Sequence, residues 1–247
     1  MSYKRIISLV PSLTELLIDL GLKDQLIGRT KFCIHPEQRV QLITSVGGTK
    51  NPHIQKILSL NPDLIITNKE ENRKEDVQEL AKHTEVIVTE IDTIDEAIEW
   101  ILKLGTKVGK ITESEGMVSE IIKLSANIPT LNPIQTAYFI WKDPWMTVGN
   151  DTYIHDVMSR YGLVNVFSNQ SRYPVTTLGE LSSLSPDLVL LSSEPYPFKE
   201  KHIYELKEVC PDSNIELVNE EWFSWYGSRM VPAFEALNSW RTQLSLK

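Results

Sequence analysis

In residues 93–127 apolar positions recur every three to four residues, at Ile94, Ala97, Ile98, Ile101, Leu102 and Val108, then at Ile111, Val118, Ile121 and Ile122. That spacing lays one helix face against a core. The block divides into two helices near residues 109–112, because Thr112 and Glu115 have the spacing of a capping box; the second helix is expected to reach about Asn127 and stop before Pro129. On either side of the block the pattern changes to short apolar runs between turns. Residues 59–66 read SLNPDLII and residues 183–190 read SLSPDLVL. In both, Asn or Ser before Pro disfavours helix, Pro-Asp turns the chain, and the apolar run suits a strand buried on two faces. One such connection is commonplace in α/β proteins. Two of them flanking a helical spacer predict two similar lobes.

Taken in order, residues 5–10 predict a buried strand that turns at Pro11 into a helix, with Ser12 as cap and Glu15 closing a second capping box. A helix start after a strand is either an ordinary capped end or a position for an anionic or carbonyl group. A short strand at 26–28 leads to a loop, RTKFCIHP, that carries Phe32, Cys33 and His35. The Gly47-Gly48-Thr49 loop and a helix over 53–60 follow. The first Pro-Asp strand then runs into Asn68, Lys69, Glu70, Glu71 and Asn72, at the end of a strand where α/β sheets gather ligands. A helix at 74–82 and a strand at 85–89 complete the first lobe. Beyond the spacer, a strand at 136–140 leads to Trp141 and Trp145, which either plug a lobe edge or line a cleft. A helix at 153–161 and the Arg172-Tyr173-Pro174 loop precede the second Pro-Asp strand, which ends at Ser192, Ser193, Glu194 and Tyr196. A last strand at 214–218 opens into an aromatic loop holding Glu221, Trp222, Trp225, Tyr226 and Arg229. An amphipathic helix over 230–244 closes the chain.

Composition narrows the class. A chain of 247 residues can form one large domain or two small ones. Its net charge of −8 argues against a general nucleic-acid binder. No apolar run is long enough to span a membrane, and polar residues interrupt the N-terminal run before it reaches signal-peptide length. As it stands the chain reads as cytoplasmic; a chain whose leader had been removed, or whose start codon was misassigned, would read the same and be periplasmic. Two cysteines, Cys33 and Cys210, make no disulfide framework.

The familiar α/β enzyme signals are absent: there is no phosphate-cradling loop, no paired-glycine fingerprint and no nucleophile elbow. Cys33 and His35 are candidates for a nucleophile and base or for two metal ligands, set against the simpler reading of a packed, inert pair. The histidines show no metal-ligand spacing, and His83 and His202, set among charges, read as surface residues. What remains is a set of loops rich in Trp, Tyr and Phe with Lys69, Ser12, Asn68 and Arg229 at the rim. This suits a large, flat organic ligand with polar edges better than a bare ion.

The segments RIISLVPSLTELL, VGG with NPHIQKILSLNPDLIIT, MTVGNDTYIHDVMSRYGLVNVF and EEWFSWYGSRMVPAFEAL resemble, in order and spacing, the substrate-binding proteins of ABC importers for cobalamin and ferric siderophores. The resemblance covers nearly the whole chain. It implies an α/β fold of two Rossmann-like lobes joined by a single rigid backbone helix, here 113–126. The corresponding divisions are a first lobe at 1–110, the connecting helix within 111–128 and a second lobe at 129–247. It further implies no enzymatic activity, no intrinsic cofactor, a corrinoid or ferric siderophore held between the lobes, and an ABC permease as partner. Glu221, Trp222 and Arg229 match positions that line the corrin in similar proteins, whereas Asn68 stands where those proteins place a tryptophan. Ser12, Phe32, Cys33, His35, Gly48, Thr49, Lys69, Trp145, Tyr173, Ser193, Glu194, Trp225 and Tyr226 complete the expected ligand-binding set. Permease docking through one carboxylate per lobe points to Glu71 or Glu75 in the first and to Glu194 or Glu200 in the second. The alternative is a cytoplasmic metal-binding protein or enzyme built on Cys33 and His35.

Overall fold

The computed structural model describes residues 3–128 and 132–244; the expected helix stop at Pro129 lies outside them. The chain forms two compact units. One comprises Met1–Ile91, Asp95–Ile122 and Tyr226–Val231, and the other Asp92–Ile94, Lys123–Trp225 and Pro232–Lys247.

The first unit alternates strand and helix: β1 (Ile6–Ser8), α1 (Pro11–Asp19), β2 (Leu26–Arg29), α2 (Glu37–Val40), β3 (Thr44–Ser45), α3 (Ile54–Ser59), β4 (Leu64–Asn68), α4 (Lys74–Leu80) and β5 (Glu85–Thr89). The five strands pair in parallel in the order β3-β2-β1-β4-β5. β1 and β4 are wholly buried, as helices on both faces of a parallel sheet require. On one face Ile7, Leu9, Val46, Ile57, Ile65 and Leu80 close a core; each such side chain, fully buried, contributes roughly 1.5–3 kcal/mol. Two longer helices follow, α5 (Ile94–Lys107) and α6 (Ile111–Ala126). Residues of α6 up to Ile122 belong to the first unit and those from Lys123 to the second. Because α6 already includes Ile111, Thr112 lies inside the helix and is not its cap.

The second unit contains β6 (Ile134–Trp141), β7 (Met146–Thr147), α7 (Tyr153–Arg160), β8 (Leu163–Asn165), α8 (Leu178–Leu184), β9 (Leu188–Ser192), α9 (Glu200–Lys207), β10 (Asn214–Val218), α10 (Glu221–Ser224) and α11 (Met230–Leu244). Its sheet runs β10-β9-β6-β7. β7 is antiparallel to the end of β6, and β8 pairs in parallel with its start. The short α2, β3, β7 and β8 were not legible in the sequence, since two to four residues carry too little periodicity to register.

The repeated Pro-Asp turn does the same work in both units. Asn61 and Ser185 each adopt a left-handed conformation with φ of 45°, ending α3 and α8. The following aspartate then holds the start of the neighbouring strand. Asp63 accepts from the Lys4 and Arg5 amides at 2.8 and 3.0 Å, and Asp187 accepts from the Gln135 amide at 3.2 Å. The sequence echo therefore has a cause: each Pro-Asp both ends a helix and sets the entry of the central strand.

Candidate functional site

In the first unit the chain leaves β1 toward β2 and β3 on one side, while β4 and β5 lie on the other. Loops at the carboxyl ends of β1 and β4 consequently part, and such a switch point is where open α/β sheets bind ligands. One amide ties the loops there. Asn72, 5% exposed, accepts from the Asn68 amide at 2.9 Å and donates to the Leu9 and Thr49 carbonyls at 3.2 and 3.0 Å. Asn68, also buried, accepts from the Glu70 and Glu71 amides at 2.8 and 3.2 Å and donates to Thr89 Oγ1 at 3.1 Å. Its side chain thus shapes the turn. Lys50 donates to the Glu70 carbonyl, and exposed Lys69 pairs with Glu90. Ser12 and Thr49 are buried, and Gly48 lies against Asn51 and the Phe32 ring. Phe32 itself is half exposed, with the Lys31 ammonium 4.9 Å from its centroid.

The start of α1 differs from expectation. Val10 occupies the cap position with no side-chain bond and Pro11 opens the helix, so Ser12 and Glu15 lie within it and form no capping box. Proline supplies the first turn because its missing N–H would be unpaired there in any case. Glu15 is released from capping and meets Arg229, whose Nε donates to Oε2 at 3.0 Å while Nη2 donates to Oε1. Burial pushes the Glu15 carboxyl above the usual carboxylate range, and Arg229 pulls it back. Gly227, at φ of 87°, brings the turn Gly227–Arg229 against Ser12 and Leu16; a Cβ there would stand 3.4 Å from the Ser12 carbonyl.

Cys33 is buried, with Sγ 3.1 and 3.2 Å from the hydroxyls of Thr14 and Thr30. Burial raises its pKa, the opposite of what a nucleophile or a metal-bound thiolate needs. Among the described residues no three His, Cys, Asp or Glu side chains converge as metal ligands. The reading built on Cys33 and His35 is not favoured.

In the second unit β6 leads to β8 on one side and has β9 on the other, so the loops after Trp141 and Ser192 stand at the equivalent switch point. Trp145 is 8% exposed and stacks on Phe198 at 5.8 Å, within the core that includes Phe139 and Phe167. Trp141 is 39% exposed and meets Tyr196 edge-on at 5.7 Å. Ser193 bonds the Glu220 carboxylate, Glu194 is exposed, and half-buried Tyr173 has the Arg172 guanidinium 5.7 Å from its ring centroid. The aromatic loop folds as α10, anchored by Phe223, which is fully buried against Tyr138 and Trp240. Glu221 and Trp222 on it, and Trp225 just past its end, remain half-buried. Tyr226 and Arg229 belong to the first unit together with Ser12, Phe32, Cys33, His35, Gly48, Thr49, Asn68 and Lys69. Trp145, Tyr173, Ser193, Glu194, Glu221, Trp222 and Trp225 belong to the second. Glu75 and Glu200 are exposed, whereas Glu71 is half-buried.

One expectation is reversed. His202 is not a surface residue but only 2% exposed. Its Nδ1 accepts from the Lys199 amide at 2.9 Å, closing the start of α9, and its ring packs on Tyr196 and Phe198. Neighbouring charges in sequence misled because each residue of a helix is turned about 100° from the last, so His202 can face inward while its charged neighbours face out. The anchoring bonds of Asn72 and the Arg229 pairing of Glu15 were missed for a similar reason. Each sits in a polar or helical run where nothing local marks a buried partner.

The sequence profile described as Periplasmic binding protein matches residues 6–209. The chain belongs to that family. It is 24% identical over 98% of its length to a vitamin B12-binding protein of Pectobacterium carotovorum, covering 90% of that relative. It is 27% identical over 94% of its length to a vitamin B12-binding protein of Vibrio cholerae, of which it covers 87%. Among solved structures, the periplasmic vitamin B12 binding protein BtuF of Vibrio cholerae superposes with a TM-score of 0.83 at 22% identity, covering 99% of this chain and 98% of that one. The apo periplasmic heme-binding protein RhuT from Roseiflexus sp. RS-1 gives a TM-score of 0.86 at 17% identity, covering 99% and 100%.

Proposed function

We propose that this chain is the substrate-binding protein of an ABC importer and captures a metal-containing organic complex, a corrinoid or ferric siderophore, without catalysing a reaction on it. The observation that carries the reading is its similarity over 98% of its length to a vitamin B12-binding protein. Half-buried Trp222 on α10, which the buried Phe223 anchors, and half-buried Trp225 just beyond it supply flat faces suited to a macrocycle or a chelate. The relatives described as periplasmic support action outside the inner membrane, and no described helix is long and apolar enough to cross a membrane. Exposed Glu75 in the first lobe, and Glu194 or Glu200 in the second, are the carboxylates offered to a permease.

The test is a titration followed by intrinsic fluorescence, with cyanocobalamin, dicyanocobinamide, haem and ferric siderophores, corrected with free tryptophan for absorption by the ligand. Saturable quenching by one class at micromolar concentration is expected, weakened roughly tenfold by Trp225→Ala through loss of ring contact. Absence of saturable quenching by all of them overturns the reading.

A further inference from the structure

The loop after β4 carries a carboxyl that no described residue pairs. The backbone around Glu71 is held on both sides: its own amide donates to Asn68 Oδ1 at 3.2 Å, and the next residue, Asn72, is anchored to Leu9 and Thr49. Yet the Glu71 carboxyl makes no hydrogen bond or ion pair with the described residues. Lys50, the cation that acts on the Glu71 carboxyl, does so only through space and gives its ammonium to the Glu70 carbonyl. Glu71 is half-buried, and desolvation raises its pKa, Lys50 opposing and Glu70 reinforcing the rise. A docking carboxylate on a convex surface would stand in water. A rigidly mounted, partly desolvated and unpaired one beside the β1/β4 switch point is instead poised for a group that arrives from outside.

We propose that Glu71 is a specificity residue of the ligand site, accepting an N–H donor such as a primary carboxamide on the rim of a corrinoid and disfavouring ligands that place a carboxylate there. The argument rests on the receptor reading above. The chemistry follows from charge. An amide N–H satisfies the carboxylate without adding charge, whereas a carboxylate would face both Glu71 and Glu70, with Lys50 already engaged.

The test compares dicyanocobinamide, whose rim carries carboxamides, with dicyanocobyrinic acid, the same ring bearing carboxylates, at pH 7.5. Wild-type protein is expected to prefer the amide form, Glu71→Gln to shrink that preference roughly tenfold, as loss of one charged hydrogen bond implies, and Glu71→Lys to shrink it further or invert it. Glu120→Gln, at an exposed position of α6, leaves the ratio unchanged. Glu71→Gln should also melt at or above the wild-type temperature, because it removes a desolvated charge. An unchanged ratio in both Glu71 variants overturns the assignment while the receptor reading stands. Melting of Glu71→Gln well below wild type also overturns it, since the carboxyl would then have an internal partner. If wild type binds neither corrinoid, nor haem, nor any siderophore, both readings fall together.

Discussion

Arg229 matches a ligand-lining position by resemblance, but the structure commits its guanidinium to Glu15, and Arg229→Ala separates these roles. Glu15 is 6% exposed and takes two hydrogen bonds from Arg229, whose side chain is 20% exposed. Removing one partner of a buried pair costs about 3–5 kcal/mol. The partial solvation of Arg229 discounts this to about 2–4 kcal/mol, or a fall in Tm of roughly 5–15 °C for a chain of this size. The assay is thermal melting of ligand-free protein between pH 5 and pH 8. The sign is set by Glu15, whose pKa burial already raises and whose principal lowering partner is Arg229. In the variant the carboxyl rises further, so the native state gains affinity for a proton that the unfolded chain binds only near the usual carboxylate range. The destabilisation is therefore full at pH 8 and shrinks as pH falls through the raised pKa. Glu15→Leu combined with Arg229→Met should recover most of the loss, since it leaves no stranded charge. A melt of Arg229→Ala within about 1 kcal/mol of wild type at pH 8, with ligand affinity alone reduced, would refute the reasoning and return Arg229 wholly to the ligand.

Two further outcomes follow from the second unit. His202 has its pKa lowered by burial, with Lys142 and Lys201 adding to the effect and Glu205 opposing it. Since the unfolded imidazole binds a proton more readily, stability is complete above the usual histidine pKa and is lost as pH falls through the depressed one; His155, lowered by burial against Asp156 and Asp151, acts in the same direction. His202→Gln should flatten part of that acid slope in melts from pH 7.5 to 5 and cost roughly 1 kcal/mol at neutral pH through the lost Lys199 cap, whereas an unchanged slope would remove His202 from the account. Gly149→Ala would set a Cβ 2.4 Å from the Gln170 carbonyl and 2.6 Å from the Ser171 carbonyl carbon, between backbones joined by Gly149 N to Arg172 O at 2.7 Å. Backbone cannot swing aside, so denaturant unfolding should show a loss of about 1–3 kcal/mol; a neutral result would mean the two loop segments part easily.

Much of the fold was legible from local pattern alone. β5, β10 and α11 span 85–89, 214–218 and 230–244, as their apolar spacing and flanking turns indicate, and the Pro-Asp echo announced two similar units because proline and the left-handed residue before it act on their immediate neighbours. The candidate loops were legible too, since they follow strands. What the side chains in those loops do was not. The Ser12 hydroxyl and the Glu15 carboxylate looked like caps because spacing is all a capping box shows in one dimension, yet Pro11 had already opened the helix and Arg229, 214 positions away, was there to take the carboxylate. Trp145 could be read as lining or plugging, and Phe198 decided that it packs within its own unit. The sequence by itself determined where the chain turns and which faces are apolar, since those depend on residues within a few positions. Only the tertiary structure decided which polar groups are satisfied, as with Asn72 and His202, and which find no partner among the described residues, as with Glu71, because hydrogen bonding and desolvation depend on partners that folding brings together.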